Sequence, residues 1–175
     1  MVGLCITFEH YRALTQAAVT SYPSECCGLL VGRRGPVEAV GAAAGDRAVV
    51  EVVALKNAWE PALLSYTDGL QEGTVAHSVG DRYYIDPADL LVVQRQARER
   101  DLEIIGIYHS HPDHPAVPSE CDRALAWPVY SYIILSVVAG HVVELKSWRL
   151  DDQHQFQNEP VKMIGSSANK APFLS

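Results

Sequence analysis

Glu103-Ile104-Ile105-Gly106-Ile107-Tyr108-His109-Ser110-His111-Pro112 holds the most specific pattern in this chain. Residues 103–108 are apolar, rich in β-branched side chains, and read as a buried strand. Along a strand, residues i and i+2 share a face. His109 and His111, at the end of that strand, therefore aim both rings at one point. Pro112, Pro115 and Pro118 follow and cannot continue a strand, so the chain loops back. Ser119 then opens a helix, and Asp122 lies in its first turn, where the carboxylate can face the histidines. Two imidazoles and one carboxylate make the ligand set of a catalytic zinc, with the fourth position left for water. Ser119-x-x-Asp122 is also a helix-capping pattern, with serine at the N-cap and an acid at N3. A cap alone does not need His-x-His at the end of the preceding strand, so the combination favours a metal.

A third carboxylate lies upstream, in Pro23-Ser24-Glu25-Cys26-Cys27-Gly28. It precedes an apolar, small-residue run. From the residues alone it reads equally as a solvated acid at a strand start or as a general base, which must touch the water and not the metal.

Taken together, these blocks resemble the JAMM (MPN-plus) zinc metallopeptidases, and most nearly their small prokaryotic members. The matching blocks are residues 23–28 with Glu25, Tyr84-Ile85-Asp86-Pro87, residues 106–112, and Pro118-Ser119-x-x-Asp122, in family order. The resemblance covers about residues 4–150. It implies an α+β domain, a curved mixed β-sheet flanked by helices, in an architecture shared with cytidine deaminases. It implies one Zn2+ on His109, His111 and Asp122, with Glu25 as general base and Ser119 helping to hold the developing oxyanion. Ser110 points away from the two rings and supports them from behind. The implied substrates are proteins with an extended C-terminal tail, including ubiquitin-like sulfur-carrier proteins, cut at a peptide or isopeptide bond. A non-catalytic scaffold of the same fold competes with this reading. The intact set Glu25, His109, His111, Ser119 and Asp122 argues against it.

Composition sets the outer limits. At 175 residues one domain is expected, and 48% apolar with 20% charged residues is ordinary for a globular chain. A net charge of −7 argues against nonspecific nucleic-acid binding, which needs Lys and Arg to neutralise phosphates. Cys5, Cys26, Cys27 and Cys121 form no C-x-x-C pair and read as reduced thiols of a cytoplasmic protein. There is no secretory leader pattern and no run long enough to span a bilayer.

Around the central block, residues 8–22 carry apolar side chains at Phe8, Tyr11, Leu14, Ala18 and Tyr22, near helical spacing, with Thr7 as N-cap. Strands are expected at 26–32, 37–44, 48–55 and 83–85, with Asp46 in a turn. Asp86-Pro87-Ala88-Asp89 is a helix start, and that helix runs to about Arg100, burying Leu90, Leu91, Val93, Gln94 and Ala97. A helix over 120–127 ends at Pro128, and 132–138 with 141–150 form a hairpin about Ala139-Gly140. Residues 57–82 read as a long loop, equally an insertion bordering the cleft or a floppy surface excursion. The domain is expected over 1–150. Residues 151–175 are expected as a polar extension whose end, from Gly165, is disordered. His10, His77, His114, His141 and His154 read as solvated.

Overall fold

Eight strands and three helices are described in the computed structural model, over residues 2–35, 43–60 and 82–165. The strands are β1 (Leu4–Ile6), β2 (Cys27–Arg34), β3 (Arg47–Leu55), β4 (Glu103–Pro112), β5 (Ser131–Val138), β6 (His141–Leu150), β7 (Phe156–Glu159) and β8 (Val161–Met163). The helices are α1 (Phe8–Ser21), α2 (Pro87–Arg98) and α3 (Glu120–Leu125). All strands join one mixed sheet in the order β7-β6-β5-β4-β2-β3-β1-β8. β1 runs parallel to both of its neighbours, and β4 runs parallel to β5. The architecture is the α+β domain expected from the sequence.

The central strands are buried on both faces, which is why β2, β4 and β5 read as nearly continuous apolar runs. α1 covers one face, where Leu14 and Ala18 pack on Leu30, Ile105, Ile133 and Leu135. α2 covers the other, where Val93 and Ala97 meet Leu29, Val31 and Ile104. Leu91, expected inside, is 59% exposed, and Phe8 is 64% exposed. Each is an apolar residue that helical spacing alone could not assign to the narrow buried stripe.

A bulge in β4 decides where the histidines point. Leu30 pairs with Gly106 but Val31 pairs with Ile104, so Ile105 is an extra residue in the ladder. Ile104 and Ile107 consequently both pack in or against the α2-side cluster, while Ile105 and Tyr108 belong to the α1-side cluster. Past the bulge, alternation carries His109 and His111 onto the side of Ile107. The Ile105 carbonyl accepts a 3.3 Å hydrogen bond from the buried Arg47 guanidinium, which also donates to Ser131 Oγ at 3.2 Å. Close packing supports the same region. A Cβ on Gly28 would collide with the Val53 carbonyl and the Tyr108 ring.

β4 does not stop at Tyr108. It continues through His109-Ser110-His111-Pro112, because β5 runs alongside as far as Val137. β2 begins opposite His109, so Pro112 lies past the end of that ladder, where its missing N–H costs nothing. Beyond Leu150, where the last strand was expected, β7 pairs with β6 and β8 pairs with β1. These are short, partly polar segments that become strands by adding to opposite edges of a finished sheet. No strand forms over 83–85. The strand expected over 37–44, the loop expected over 57–82 and the disordered end expected from Gly165 fall largely outside the described residues.

Two polar residues differ from their sequence reading. Asp46 is fully buried and accepts from Gly3 N at 2.8 Å, Ala43 N at 2.7 Å and Lys162 Nζ at 2.9 Å. His10 is not simply solvated. Its Nδ1 accepts from Thr7 N at 3.2 Å while its own N–H donates to Thr7 Oγ1 at 3.2 Å, closing a reciprocal cap on α1.

Candidate metal centre

The three residues singled out by the sequence converge. His109 Nε2 and His111 Nε2 lie 3.0 Å apart, His109 Nε2 is 3.3 Å from Asp122 Oδ1, and His111 Nε2 is 3.6 Å from Asp122 Oδ2. Tetrahedral zinc with bonds of about 2.0 Å needs donors roughly 3.3 Å apart. The donor set fits such an ion in chemistry and in spacing.

The surroundings prepare these atoms. His111 Nδ1 lies 2.9 Å from the Pro115 carbonyl, which can only accept, so Nδ1 carries a proton and the ring turns Nε2 toward His109 and Asp122. Two imidazole nitrogens pointed at each other and at a carboxylate need either a shared proton or a cation between them. His109 is wholly buried, and its Nδ1 has no hydrogen-bond partner among the described residues. Asp122 is placed by a capping box. Ser119 N and Ser119 Oγ both donate to Asp122 Oδ2, at 2.6 and 2.7 Å, and Asp122 N donates back to Ser119 Oγ at 3.1 Å. The cap reading and the metal reading of Ser119-x-x-Asp122 are thus both realised in one geometry. Burial opposes ionisation of Asp122, but the His109 charge and hydrogen bonds from His109, His111 and Ser119 outweigh it. The carboxyl is held well below the usual carboxylate range.

Glu25 is buried, 5% exposed, just before β2. Ser110 fixes the chain there. Its Oγ accepts from Cys26 N at 2.9 Å and its N–H donates to Cys26 O at 3.2 Å. Ser110 therefore works from the face opposite the histidine rings. The negative charges of Asp122 and Glu25 both act on Tyr83, whose hydroxyl is raised well above its ordinary range, chiefly by burial.

Tyr83 is the residue the sequence reading missed. Its ring stacks on His109 with centroids 4.4 Å apart and planes 23° from parallel. Its sequence context marks only a short strand, and its place ahead of Ile85-Asp86-Pro87 is the available signal. Asn57 carries no local mark of a role at the site. The remaining histidines stand apart from the metal group: His114 and His141 are exposed, and His154 Nε2 bonds the Arg123 carbonyl at 3.0 Å. His77 lies outside the described residues. Cys121 precedes Asp122, and all four cysteines are free thiols.

Two buried histidines at a sheet strand's end and a partly buried aspartate on the following helix, with a glutamate on the neighbouring strand end, are the makeup of a JAMM-type metallopeptidase. The chain belongs to the prokaryotic homologs of the JAB domain, whose family model matches residues 8–151. It is similar to a desampylase of Haloferax volcanii, 35% identical over 71 residues, which covers 36% of this chain and 51% of that protein. A desampylase of Pyrococcus furiosus is 22% identical over 89% of this chain and 86% of its own length. The CysO-cysteine peptidase of Mycobacterium tuberculosis is 26% identical over 92% of this chain and 91% of its own length. Among solved structures, a protein of Desulfitobacterium hafniense matches with a TM-score of 0.66 at 27% identity, over 91% of this chain and 92% of that one. A protein of Salinibacter ruber matches at 0.60 and 26%, over 93% and 91%.

Proposed function

We propose that this chain is a zinc-dependent peptidase that hydrolyses a peptide or isopeptide bond at the C-terminal tail of a ubiquitin-like protein, of the sulfur-carrier class. The observation that carries the reading is the convergence of two imidazole Nε2 atoms and an ionised carboxylate beside a buried glutamate. The relatives named desampylase and CysO-cysteine peptidase support the substrate class.

Zinc on His109, His111 and Asp122 would supply Lewis acidity and a more acidic water. Glu25 would take a proton from that water and pass it to the leaving amine. Burial suits Glu25 to the task, because a carboxylate shielded from solvent exchanges its proton with the reacting groups. Ser119 now donates to Asp122 Oδ2, and so holds the ligand. To serve the oxyanion its hydroxyl would turn from that oxygen toward the substrate. Ser110 would keep Glu25 in register with the histidines through Cys26.

Among the described residues no helix is long and apolar enough to cross a membrane. The four free thiols support a cytoplasmic setting.

The test is direct. Purified protein, assayed on a ubiquitin-like sulfur-carrier protein extended past its terminal Gly-Gly, should release the extension. A chelator should stop the reaction, and added zinc should restore it. Unimpaired cleavage after complete metal removal would overturn the proposal.

A further inference from the structure

The geometry points to Asn57 as a positioning residue of this site. Its amide ties the segment carrying Glu25 to the segment that seats Tyr83 on His109. The inference rests on the peptidase reading above and assigns a role to a residue that reading does not use.

Asn57 is half-buried, two residues past the end of β3. Its Nδ2 donates to the Glu25 carbonyl at 3.3 Å and to the Arg82 carbonyl at 2.9 Å. Its Oδ1 accepts from Trp59 N and from Tyr84 N, both at 3.0 Å. An asparagine amide offers two donor hydrogens and an oxygen with two lone pairs. All of these are used here. The pattern also fixes the orientation of the amide, since a flip would set oxygen against two carbonyls and NH2 against two N–H groups.

The partners matter more than their number. Residues 82–86 form no strand, so no ladder places Tyr83. One amide instead grips the chain on both sides of it, at Arg82 O and Tyr84 N, and Ala58 N adds a bond to Tyr84 O at 2.9 Å. Tyr83 sits between those grips with its ring 4.4 Å from the His109 ring. The same Nδ2 holds the backbone of Glu25. One side chain thereby sets the distance between the proposed base and the aromatic wall of the metal group. Ser110 ties Glu25 to the ligand strand from behind, and Asn57 ties it to the wall in front. A glutamate bracketed from two sides has less room to leave the line between water and leaving group, and misplacement of about 1 Å can cost roughly 100-fold in rate.

Two variants separate the contacts. Asn57→Asp keeps the shape and both acceptor bonds, but turns an oxygen toward the Glu25 and Arg82 carbonyls. Asn57→Ala removes all four bonds. Both are purified with zinc and compared with the parent for zinc content, kcat and KM on the extended carrier protein. Zinc release to a chromogenic chelator is followed in parallel. The expected result is parental zinc content, kcat lowered about 10- to 100-fold in Asn57→Asp with KM within about 3-fold, and zinc release from Asn57→Ala faster by about 10-fold as Tyr83 loosens over His109. In a Glu25→Gln background, Asn57→Asp should cause no further loss of single-turnover rate. Parental kcat in Asn57→Asp overturns the proposal, and so do fully additive losses in the double variant, because the residue would then act independently of Glu25. If the parent cleaves nothing, the peptidase reading has failed on its own. Zinc release then decides for Asn57, faster in Asn57→Ala supporting the clasp and unchanged release overturning it.

Discussion

Asp46 and Asp122 are both aspartates held well below the usual carboxylate range, and both take hydrogen bonds from nearby backbone N–H groups. Their remaining partners separate them. Asp46 faces the Lys162 ammonium and the amides of Gly3 and Ala43, all of which bring protons of their own. Its charge is answered within the chain. Asp122 faces two imidazole nitrogens that also face each other. Neither imidazole is a permanent cation, as an ammonium is, so this group can yield its protons to a metal. Burial and a depressed pKa therefore do not distinguish a structural acid from a functional one. The protonation of the groups facing it does.

That contrast can be broken or sharpened by experiment. The largest effect belongs to the open site. A His109→Ala, His111→Ala double variant should lose its bound zinc and its hydrolysis together, as elemental analysis and the carrier-protein assay would show. Retention of full zinc would move the metal elsewhere. Next is Glu25→Gln, which should keep zinc and lower kcat by about 100-fold or more, because it removes a proton acceptor and not a ligand. Zinc loss in this variant would make Glu25 a ligand.

The closed site should answer in stability instead. Lys162→Met removes the ammonium facing Asp46, and about 2 kcal/mol of folding stability should go with it. That is a fall in Tm of about 4–8 °C for a chain of this size, with zinc content and kcat unchanged. A fall in kcat at constant zinc would join two regions that the comparison keeps apart. The smallest effect is in pH dependence. The folded pKa of Asp46 is depressed, first by the Ala43 amide and then by Lys162. Its contribution is therefore complete above the unfolded carboxylate value, and is lost as pH falls below about 5. Denaturation curves across that window should be steeper in pH for the parent than for Lys162→Met. Equal slopes would dismiss Lys162 as a cause of the depression.

The same distinction explains what the sequence could disclose. His109, His111 and Asp122 were legible because strand alternation and a capping pattern are local rules, and α1 and α2 were legible from their caps. The parity of β4 was not. It depends on a bulge at Ile105 that only the pairing with β2 reveals. Asp46 read as a turn acid because its cation, Lys162, lies 116 residues away. β7 and β8 gave no strand signal, being short segments recruited by sheet edges. Asn57 sits at the end of β3 with a local bond to Trp59 N, an ordinary turn signature, and its reach to Glu25 and Tyr84 is set entirely by tertiary placement.

β8 has a further consequence, in the order of synthesis. β1 leaves the ribosome well before its outer neighbour β8, which is the last of the described strands. While the chain is growing, β1 presents a raw edge, Asp46 waits for its ammonium, and the metal group can already assemble from β4 and α3. An unpaired strand edge is a template for other chains. The nascent protein thus passes through an interval in which its chemistry can be complete while β1 is still uncovered, and the arrival of three residues, Val161–Met163, moves that border outward onto β8.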